Sequence, residues 1–432
     1  MTDLTVAMNG LVVGRLGKSP SGELTFEYSD EWLSRAGTRP VSLSLPLDLR
    51  RYRGAEVYHF FDNLLPDSDL IRRRIQARYR VAADHPYDLL SAVGRDCVGA
   101  LQLYPDAEVM PNVQQISAKP ISDAGIAALL RDYLAAPLGM DQSSDFRISL
   151  AGAQEKTALL WWRGGWHRPL GSTPTSHILK LPTGLLVTRN IDLSQSCENE
   201  WLCLKLAQAL GLPVAQAELG QFDSEQALVV ERFDRRWSKD HSWLMRLPQE
   251  DLCQALGVSP ALKYENDGGP GVIECMRLLS GSQQPLRDRL LFFKAQVVFW
   301  ALAALDGHAK NFSVFLEPFG AFQMTPLYDI ISAFPLMAQG SLPAQRVKMA
   351  MSVKGKKRHY HWARIEPRHF LSTAKTAGLG VTQAEAVLHE VAIEAPRAVE
   401  AVQSMLPDGF PGSVSEPIFA GVLAQAQALR GH

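Results

Sequence analysis

The sequence of 432 residues has few cysteines, no long uninterrupted apolar run and almost no net charge. Its five cysteines form no C-x-x-C pair, and their odd number argues against a disulfide framework, which favours a reducing compartment. The most apolar long segment, 290–305, contains Lys294 and Gln296 and is too short to span a bilayer. The N-terminal segment lacks the apolar core of a signal peptide. We therefore expect a cytoplasmic protein that does not enter a membrane.

Charges of opposite sign nearly cancel, because 44 lysines and arginines stand against 45 aspartates and glutamates. This balance excludes a general electrostatic attraction to nucleic acid, so a role on DNA would need a local patch or a partner. One such patch runs from Lys354 to His359 and continues at Arg368, His369 and Lys375. The patch could contact phosphate, or it could be a solvated lysine-rich loop.

The chain is long enough for two or three domains, and its patterns divide it into four segments. These are a small α+β module at 1–110, a proline-marked linker at 111–145, a strand-rich part at 146–247 and a mostly helical part at 248–432. The first segment opens with a hairpin signal at Asn9-Gly10 and alternates like a strand at Val41–Leu45. The linker contains one short predicted helix, Ile126–Leu134.

The sharpest chemical signal is a polar loop predicted between an apolar helix, 290–305, and a pair of strands. It reads Asp306-Gly307-His308-Ala309-Lys310-Asn311, and Tyr328-Asp329 follows the strands. An aspartate and an asparagine five residues apart, with a second aspartate downstream, have the spacing of kinase-like folds. Asp306 would accept the proton of a substrate hydroxyl, while Asn311 and Asp329 would supply oxygen ligands to Mg²⁺. Lys310 could offset the charge that develops on the transferred phosphate.

The same loop could instead be a structural cap on helix 290–305, with Asp306 at the C-terminal end of the helix. A carboxylate is unfavourable at that end of the helix dipole, which favours a functional reason for Asp306. Because D-x-x-x-x-N also occurs by chance, the loop alone does not decide between the two interpretations.

Two features upstream occupy the positions that a kinase requires for its nucleotide. Small residues, Ala151–Ala153, interrupt the segment Asp145–Lys156 and would let backbone N–H groups approach phosphate oxygens, although a tight surface turn is the alternative. The strand that ends at Glu231–Phe233 lies where a kinase would bind adenine through backbone groups, and taken alone it is only a strand end.

Lys180 is a third upstream feature, because it lies in the apolar strand sequence HILKLP. A buried lysine needs an anionic partner, and in kinases such a lysine holds phosphates and pairs with a helix glutamate. Glu198 or Glu200 on the next helix could be that partner. The alternative is a lysine on an edge strand that points to water.

Eight longer motifs extend over nearly the whole chain. They are FFDNLLPDS at 60–68, DFRISLAGAQEKTALL at 145–160, HILKLP at 177–182, ERFDRRW at 231–237, LPQEDLCQ at 247–254, KYENDGGPG at 263–271, DGHAKNFSVF at 306–315 and YDIISAFP at 328–335. Together these motifs resemble the HipA family of serine/threonine kinase toxins. The resemblance implies an α+β, bilobal, protein-kinase-like fold related to lipid kinases. Its N-lobe would contain 1–110 and the nucleotide-binding part 146–247, and 248–432 would be the helical C-lobe with the catalytic loop and metal site.

The resemblance also implies roles for individual residues. Asp306 matches the catalytic base, Asn311 and Asp329 match the Mg²⁺ ligands, and Lys375 matches a position near DNA, although Gly378 replaces a basic residue there. Positions that match ATP contacts are Ala151, Gly152, Ala153, Gln154, Glu155, Lys156, Lys180, Glu231, Arg232, Phe233, His308, Ala309, Lys310, Asn311, Tyr328 and Asp329. Ser149 matches a serine that the family autophosphorylates, and about two added negative charges would suffice to switch such a loop.

The implied cofactors are ATP and Mg²⁺, and the implied partners are of two kinds. The expected protein substrate is glutamyl-tRNA synthetase, whose phosphorylation would cause growth arrest and persistence. A HipB-like helix-turn-helix antitoxin would bind operator DNA and hold the chain as a co-repressor. Two alternatives stay open: a small-molecule phosphotransferase, which the N-terminal module and Ser149 argue against, and a kinase-dead scaffold, which the intact Asp306, Asn311 and Asp329 argue against.

Overall fold

The dipeptide Asn9-Gly10 closes the first hairpin of the chain, between β1 (Leu4–Met8) and β2 (Leu11–Lys18). Asn9 has a φ of 48° and Gly10 a φ of 81°, so both central residues adopt the left-handed conformation that a type I′ turn requires. The two strands pair antiparallel, with one shift of register between Val6 and Ala7. The hairpin predicted at this dipeptide is confirmed.

The computed structural model describes residues 3–106, 108, 110–135, 156–186 and 191–430. The chain divides into two compact units. The first unit comprises Met1–Leu181, Gly220–Ala261 and Val314–Phe322, and the second comprises Pro182–Leu219, Leu262–Ser313 and Gln323–His432. The domain boundaries proposed from the sequence stay a prediction.

Runs of consecutive strands and runs of consecutive helices follow one another along the chain. After β1 and β2, the strands are β3 (Leu24–Tyr28), β4 (Arg51–Arg53), β5 (Leu101–Pro105), β6 (Ala118–Pro120), β7 (Lys156–Trp162), β8 (Gly165–Pro169), β9 (His177–Lys180), β10 (Gly184–Leu186), β11 (Ile191–Leu193), β12 (Ala217–Phe222), β13 (Glu225–Glu231), β14 (Arg235–Trp237), β15 (Leu244–Arg246), β16 (Gln249–Asp251), β17 (Ser313–Leu316), β18 (Phe322–Met324), β19 (Lys348–Lys354) and β20 (Arg358–His361). The α-helices are α1 (Asp30–Ser34), α2 (Ala55–Asp62), α3 (Asp69–Tyr79), α4 (Pro86–Val93), α5 (Asp123–Ala135), α6 (Ser196–Ala209), α7 (Leu252–Ala255), α8 (Val272–Leu279), α9 (Pro285–Ala301), α10 (Phe334–Ala338), α11 (Pro367–Thr376), α12 (Val381–Gln403) and α13 (Gly412–Arg430).

A five-stranded antiparallel sheet organises the N-terminal part of the first unit, in the order β4-β3-β2-β1-β5. The alternating residues of β3 place Phe26 and Tyr28 on the buried face. They join Phe60 and Phe61 of α2 in one apolar core. Burial of these aromatic side chains contributes to the stability of this part of the fold.

The strand predicted at Val41–Leu45 is wrong, because only a single bridge between Ser42 and Leu45 forms there. The Tyr28 hydroxyl holds this segment instead. It accepts a hydrogen bond from the Val41 N–H at 2.9 Å and donates to the Leu45 carbonyl at 2.5 Å. A side chain therefore satisfies the backbone groups that a neighbouring strand would otherwise pair.

A six-stranded sheet follows in the first unit, in the order β12-β13-β9-β7-β8-β6. β9 pairs antiparallel with both β13 and β7 and is therefore an interior strand. The described part of the predicted linker contributes to this layer, since β6 is one of its two edge strands and α5 packs on the sheet through Ile126, Ala127 and Leu130. The helix predicted at Ile126–Leu134 is confirmed within the longer α5.

Helices dominate the second unit, and α9 lies at its centre. Every residue from Phe292 to Ala301 is buried, and the helix packs on α8, α12 and α13. It begins and ends earlier than the predicted helix 290–305. Among the described helices, none combines the length and low polarity needed to cross a bilayer. The mixture of antiparallel sheets and packed helices confirms the predicted α+β class.

Glu250 on β16 is a buried carboxyl group of the first unit. It accepts hydrogen bonds from the Ser42 hydroxyl at 2.5 Å and from the Leu43 N–H at 2.7 Å. Burial raises the pKa of Glu250 from 4.5 to about 8, although the two hydrogen bonds act in the opposite direction. The folded protein therefore holds a proton on Glu250 over a pH range in which the unfolded chain has released it.

We predict that Glu250→Gln removes a pH-dependent loss of stability. Between the unfolded pKa and the folded pKa, the folded state binds more protons, so the free energy of unfolding falls as pH rises, by up to about 1.4 kcal/mol per pH unit from this group. Glutamine does not ionise. The stability of the variant relative to the native protein should therefore increase from about pH 5 to about pH 8. Urea unfolding at several pH values measures this, and a constant difference would contradict it.

Candidate active site

The polar loop 306–311 follows α9 after a left-handed turn. Ala303 has a φ of 48°, and the Ala304 N–H donates to the Phe299 carbonyl at 2.7 Å, which closes the helix end. Asp306 therefore lies well beyond the last helical residue, Ala301. The interpretation of Asp306 as a cap on the helix end is wrong, and the helix dipole gives no argument about its charge.

Buried aromatic rings fix both ends of this loop. Gly307 lies directly on Phe299, since a Cβ at position 307 would be 2.4 Å from the Cδ2 of that ring. Phe299 in turn stacks on Phe312, which follows the loop, with ring centroids 5.4 Å apart. Phe292 packs against Phe312 edge to face at 4.8 Å. The backbone of the loop is thus held on a rigid apolar base.

Asp306 and Asn311 are joined through the Asp306 carbonyl. This oxygen accepts hydrogen bonds from the Asn311 Nδ2 at 2.8 Å and from the His308 N–H at 2.8 Å. The Asn311 N–H donates to the His308 carbonyl at 2.9 Å. The turn leaves the Asp306 side chain 65% exposed, whereas Asn311 is buried. Of the two polar side chains, only that of Asp306 is open to an incoming hydroxyl.

Tyr328 ties Asp329 to the same turn. Its hydroxyl donates to the Lys310 carbonyl at 2.9 Å and lies 2.6 Å from the Ser313 hydroxyl. Asp329 has a φ of 59°, a left-handed conformation that is uncommon for residues other than glycine and is typical of functional sites. The structure therefore brings the two predicted motif segments together, although they are separated by a strand pair.

The donor atoms of this turn fit a magnesium ion. Because the Asn311 Nδ2 is used in the bond to Asp306, the amide oxygen is the atom left to bind a cation, and Asp329 would add a carboxylate. A small number of protein oxygen ligands, completed by phosphate oxygens, is the set that Mg²⁺ prefers. His308, Ala309 and Lys310 are all buried in the same turn, and their predicted ATP contacts stay predictions.

Lys156 and Lys180 are directly opposite each other in the pair of β7 and β9 of the first unit. Residues in this position project from the same face of a sheet, and like charges there repel each other. Lys180 is buried on an interior strand, so the interpretation of an edge-strand lysine in water is wrong.

The predicted adenine-binding segment Glu231–Phe233 is held by a buried ion network. Arg232 donates to Asp96 at 3.3 Å and to Asp234 at 2.8 Å, with its side chain almost fully buried. Arg235 and Arg246 also bind Asp96, at 2.8 and 2.9 Å. Burial alone would raise the pKa of Asp96, but the three guanidinium groups hold it well below its ordinary value.

This network occupies hydrogen-bonding groups of the segment Glu231–Phe233 that could otherwise bind a ligand. The Arg232 guanidinium donates to carboxylates, to the Thr175 hydroxyl and to the Cys97 carbonyl, and the Arg232 N–H donates to the Ser176 carbonyl at 2.9 Å. Glu231 is exposed, and the Phe233 ring packs edge to face on Phe315 at 5.9 Å. If Arg232 contributes to nucleotide binding, it does so by fixing the backbone of its neighbours.

Several predicted residues lie outside the described part of the chain: Ser149, Ala151, Gly152, Ala153, Gln154 and Glu155. Glu198 and Glu200 are both buried on α6 of the second unit. The pairing of Lys180 with either of them stays a prediction.

The predicted basic patch forms the exposed turn of the β19–β20 hairpin and borders a groove of about 710 Å³ in the second unit. Lysines and arginines of the groove wall are Lys348, Lys357, Arg358, Arg364 and Arg368, and Glu366 is the one carboxylate among the described lining residues. Lys375 is exposed farther along α11. The exposure of the hairpin turn and of Lys375 agrees with the interpretation of the patch as a solvated lysine-rich loop. The groove beside the turn also offers a cationic surface.

Reasoning from the sequence missed Tyr264, whose hydroxyl donates to the Asp306 Oδ1 at 2.6 Å. The signal that could have revealed it is the motif KYENDGGPG, which begins one residue earlier and has no role in nucleotide binding assigned to it.

Comparison with known proteins agrees with these observations. Residues 4–104 match the family model of the HipA N-terminal domain, and residues 148–399 match that of the HipA-like C-terminal domain. The proposed kinase Y4mE of Sinorhizobium fredii is 34% identical over 386 residues, which cover 88% of this chain and 86% of that protein. The serine/threonine-protein kinase toxin HipA of Shewanella oneidensis is 28% identical over 342 residues, covering 73% of this chain and 74% of that protein.

A solved structure gives the same result for the fold. A chain in the complex of HipA, HipB and operator DNA from Shewanella oneidensis MR-1 superposes with a TM-score of 0.82 at 22% identity, covering 98% of this chain and 96% of that one. This likeness confirms the predicted kinase-like fold. Because both HipA domains are present and the C-terminal one alone accounts for more than half of the residues, the chain belongs to the HipA family of toxin–antitoxin kinases.

Proposed function

We propose that this protein is an ATP- and Mg²⁺-dependent serine/threonine kinase. The observation that carries the proposal is the turn 306–311, which exposes the Asp306 carboxylate while Tyr328 ties Asp329 to the backbone beside Asn311. This arrangement supports a separation of roles, in which one carboxylate would accept the proton and two oxygen donors would bind a cation. Phosphoryl transfer needs both, and it needs little other covalent chemistry from the protein.

In the proposed reaction, the substrate hydroxyl gives its proton to Asp306 as its oxygen bonds to the γ-phosphorus and the bond to the β-phosphate oxygen breaks. Asn311 and Asp329 would hold Mg²⁺, and the bound ion would offset the negative charge of the phosphates. Lys156 and Lys180 would bind the phosphates, and Lys310 would offset charge near the transferring group. The backbone of Glu231–Phe233 would bind adenine, with the segment Ala151–Glu155 over the phosphates.

Ser149 is proposed as the site of self-phosphorylation. We predict that Ser149→Ala abolishes incorporation of phosphate into the protein itself but leaves ATP affinity within about twofold of native, because a serine hydroxyl that serves only as acceptor contributes little to ground-state binding. Phosphopeptide mass spectrometry after incubation with Mg²⁺ and ATP checks this. Phosphate on another residue of the native protein would overturn the assignment.

The proposed target is a translation protein, with glutamyl-tRNA synthetase as the expected substrate and growth arrest as the outcome. The support is the family and the name of the Shewanella relative, which is a kinase toxin. Phosphoproteomics after brief expression of the native protein, compared with Asp306→Ala, would identify the target. Turnover of a small alcohol without any phosphorylated protein would favour a small-molecule phosphotransferase instead.

The proposed partners are a HipB-like antitoxin and, mainly through it, operator DNA in the cytoplasm, where the protein acts as a co-repressor. The support is the solved complex of the Shewanella relative, together with the cationic groove and the exposed Lys375 of the second unit. If this chain adds phosphate contacts of its own, the salt dependence of operator binding should be steeper for the complex than for antitoxin alone. Equal slopes would assign all DNA contact to the antitoxin.

A further inference from the structure

The motif KYENDGGPG forms a short turn in the second unit, and its second residue, Tyr264, is hydrogen-bonded to Asp306. The Tyr264 hydroxyl donates to Asp306 Oδ1 at 2.6 Å. The other carboxylate oxygen, Oδ2, lies 3.9 Å from the His308 Nε2, which is beyond hydrogen-bonding distance. One oxygen of the carboxylate is therefore held by Tyr264, and the second is the one that an incoming hydroxyl can reach.

Tyr264 has little freedom to move away from this position. Its ring packs edge to face on the buried His308, with ring centroids 5.0 Å apart and an angle of 78° between the rings. Its carbonyl accepts hydrogen bonds from the N–H groups of Asp267 and Gly269, at 3.1 and 3.0 Å. A Cβ at Gly269 would lie 1.8 Å from the Leu262 carbonyl oxygen, so the tight turn requires glycine there.

The next residue, Glu265, fastens the turn to β19. Its buried carboxylate accepts hydrogen bonds from the Ser352 N–H at 2.5 Å and from the Ser352 hydroxyl at 2.9 Å. Arg358 adds an ion pair at 3.4 Å. Tyr264 is thus followed directly by a residue that is anchored to β19, which restrains its backbone as a residue that orients a catalytic group requires.

We propose that Tyr264 is a positioning residue for the catalytic base. It fixes the Asp306 carboxylate so that Oδ2 faces the substrate hydroxyl, and the rest of the motif holds Tyr264 in place. The inference rests on the proposed kinase function and extends it, because it gives a role to a motif to which no nucleotide or metal contact has been assigned above. Without Tyr264, an exposed carboxylate would sample several rotamers, and few of them would accept the proton.

A double-mutant cycle tests this inference. The rate constant for phosphate transfer and the Kd for Mg²⁺·ATP are measured for the native protein, Tyr264→Phe, Asp306→Ala and the double variant. We expect Tyr264→Phe to lower the transfer rate about tenfold with the Kd within about twofold of native, since only orientation is lost. In the Asp306→Ala background, Tyr264→Phe should have no further effect, because the carboxylate that it positions is absent.

Tyr58→Phe, on α2 of the first unit, is the matched control for loss of a phenol hydroxyl and should behave as native. Thermal unfolding of each variant separates a loss of stability from a loss of orientation. A native transfer rate in Tyr264→Phe, or an equal decrease in both backgrounds, would overturn the positioning role. If the native protein transfers no phosphate at all, the proposed function itself fails, so the two failures are distinguishable.

Discussion

Replacing Asp306 with alanine should lower the rate of phosphoryl transfer about a thousandfold, because a positioned general base contributes about 10²–10⁴ to a rate. ATP binding should be nearly unchanged. The hydrogen bond from Asn311 uses the Asp306 backbone carbonyl, which alanine retains, so the predicted metal ligand keeps its place. The substitution therefore deletes the proton acceptor and spares the groups that are expected to hold the nucleotide.

Transfer from radiolabelled ATP and titration calorimetry on the same preparations measure these two quantities. Asp408→Ala is a suitable control, since it removes an exposed aspartate between α12 and α13 of the same unit. It should leave both quantities at their native values. A native transfer rate in Asp306→Ala would exclude Asp306 as the base, and a large loss of ATP affinity would make it a binding residue.

Asp329→Ala should act on binding, lowering the affinity for Mg²⁺·ATP by roughly 10–100-fold or more, which is the cost of losing even an outer partner of a metal site. The reason is the loss of the one carboxylate that is expected to contact the ion. Calorimetry with Mg²⁺ present and with the metal chelated should show the loss only when the metal is present. An equal affinity for the native protein and the variant in Mg²⁺ would refute the metal role.

The backbone at position 329 requires a second variant, because its φ of 59° is unfavourable for alanine. Asparagine tolerates this conformation and removes the charge, so Asp329→Asn separates backbone strain from loss of the ligand. Both variants should lose affinity in Mg²⁺, and only Asp329→Ala should also lose stability. Loss of affinity in Asp329→Ala alone would assign the effect to the backbone.

Local features of the chain were predictable from the sequence because their causes are local. The hairpin at Asn9-Gly10 follows from two residues that accept positive φ, and the alternation of Leu24–Tyr28 matches β3. The segment Val41–Leu45 alternates in the same way and yet forms no strand, because the Tyr28 hydroxyl, which is distant in sequence, satisfies its backbone. Alternation reports burial on one face, and it does not report which group pairs with the backbone.

In the candidate site, too, features with local causes could be predicted from the sequence and features that depend on distant residues could not. The order and spacing of Asp306, Asn311 and Asp329 were visible in the sequence, as was the unusual position of Lys180 in an apolar strand. That Lys156 lies directly opposite Lys180 depends on the register of β7 and β9, which the whole sheet determines.

Contacts between residues far apart in sequence were not visible at all. Tyr264 bonds Asp306 across 42 positions, and Arg232 meets Asp96 across 136. Such pairs are determined by packing, so the motif KYENDGGPG could draw attention to Tyr264 but could not report that its partner is Asp306.

The position of the metal tests the account most directly. Crystals of the protein with Mn²⁺ in place of Mg²⁺ and a non-hydrolysable ATP analogue would locate the ion by its anomalous scattering. We predict one ion bonded to the Asn311 amide oxygen and to an Asp329 carboxylate oxygen, with the γ-phosphate near Asp306 and no bond from Asp306 to the metal. An ion held by other residues, or a nucleotide bound away from this turn, would contradict the proposed active site.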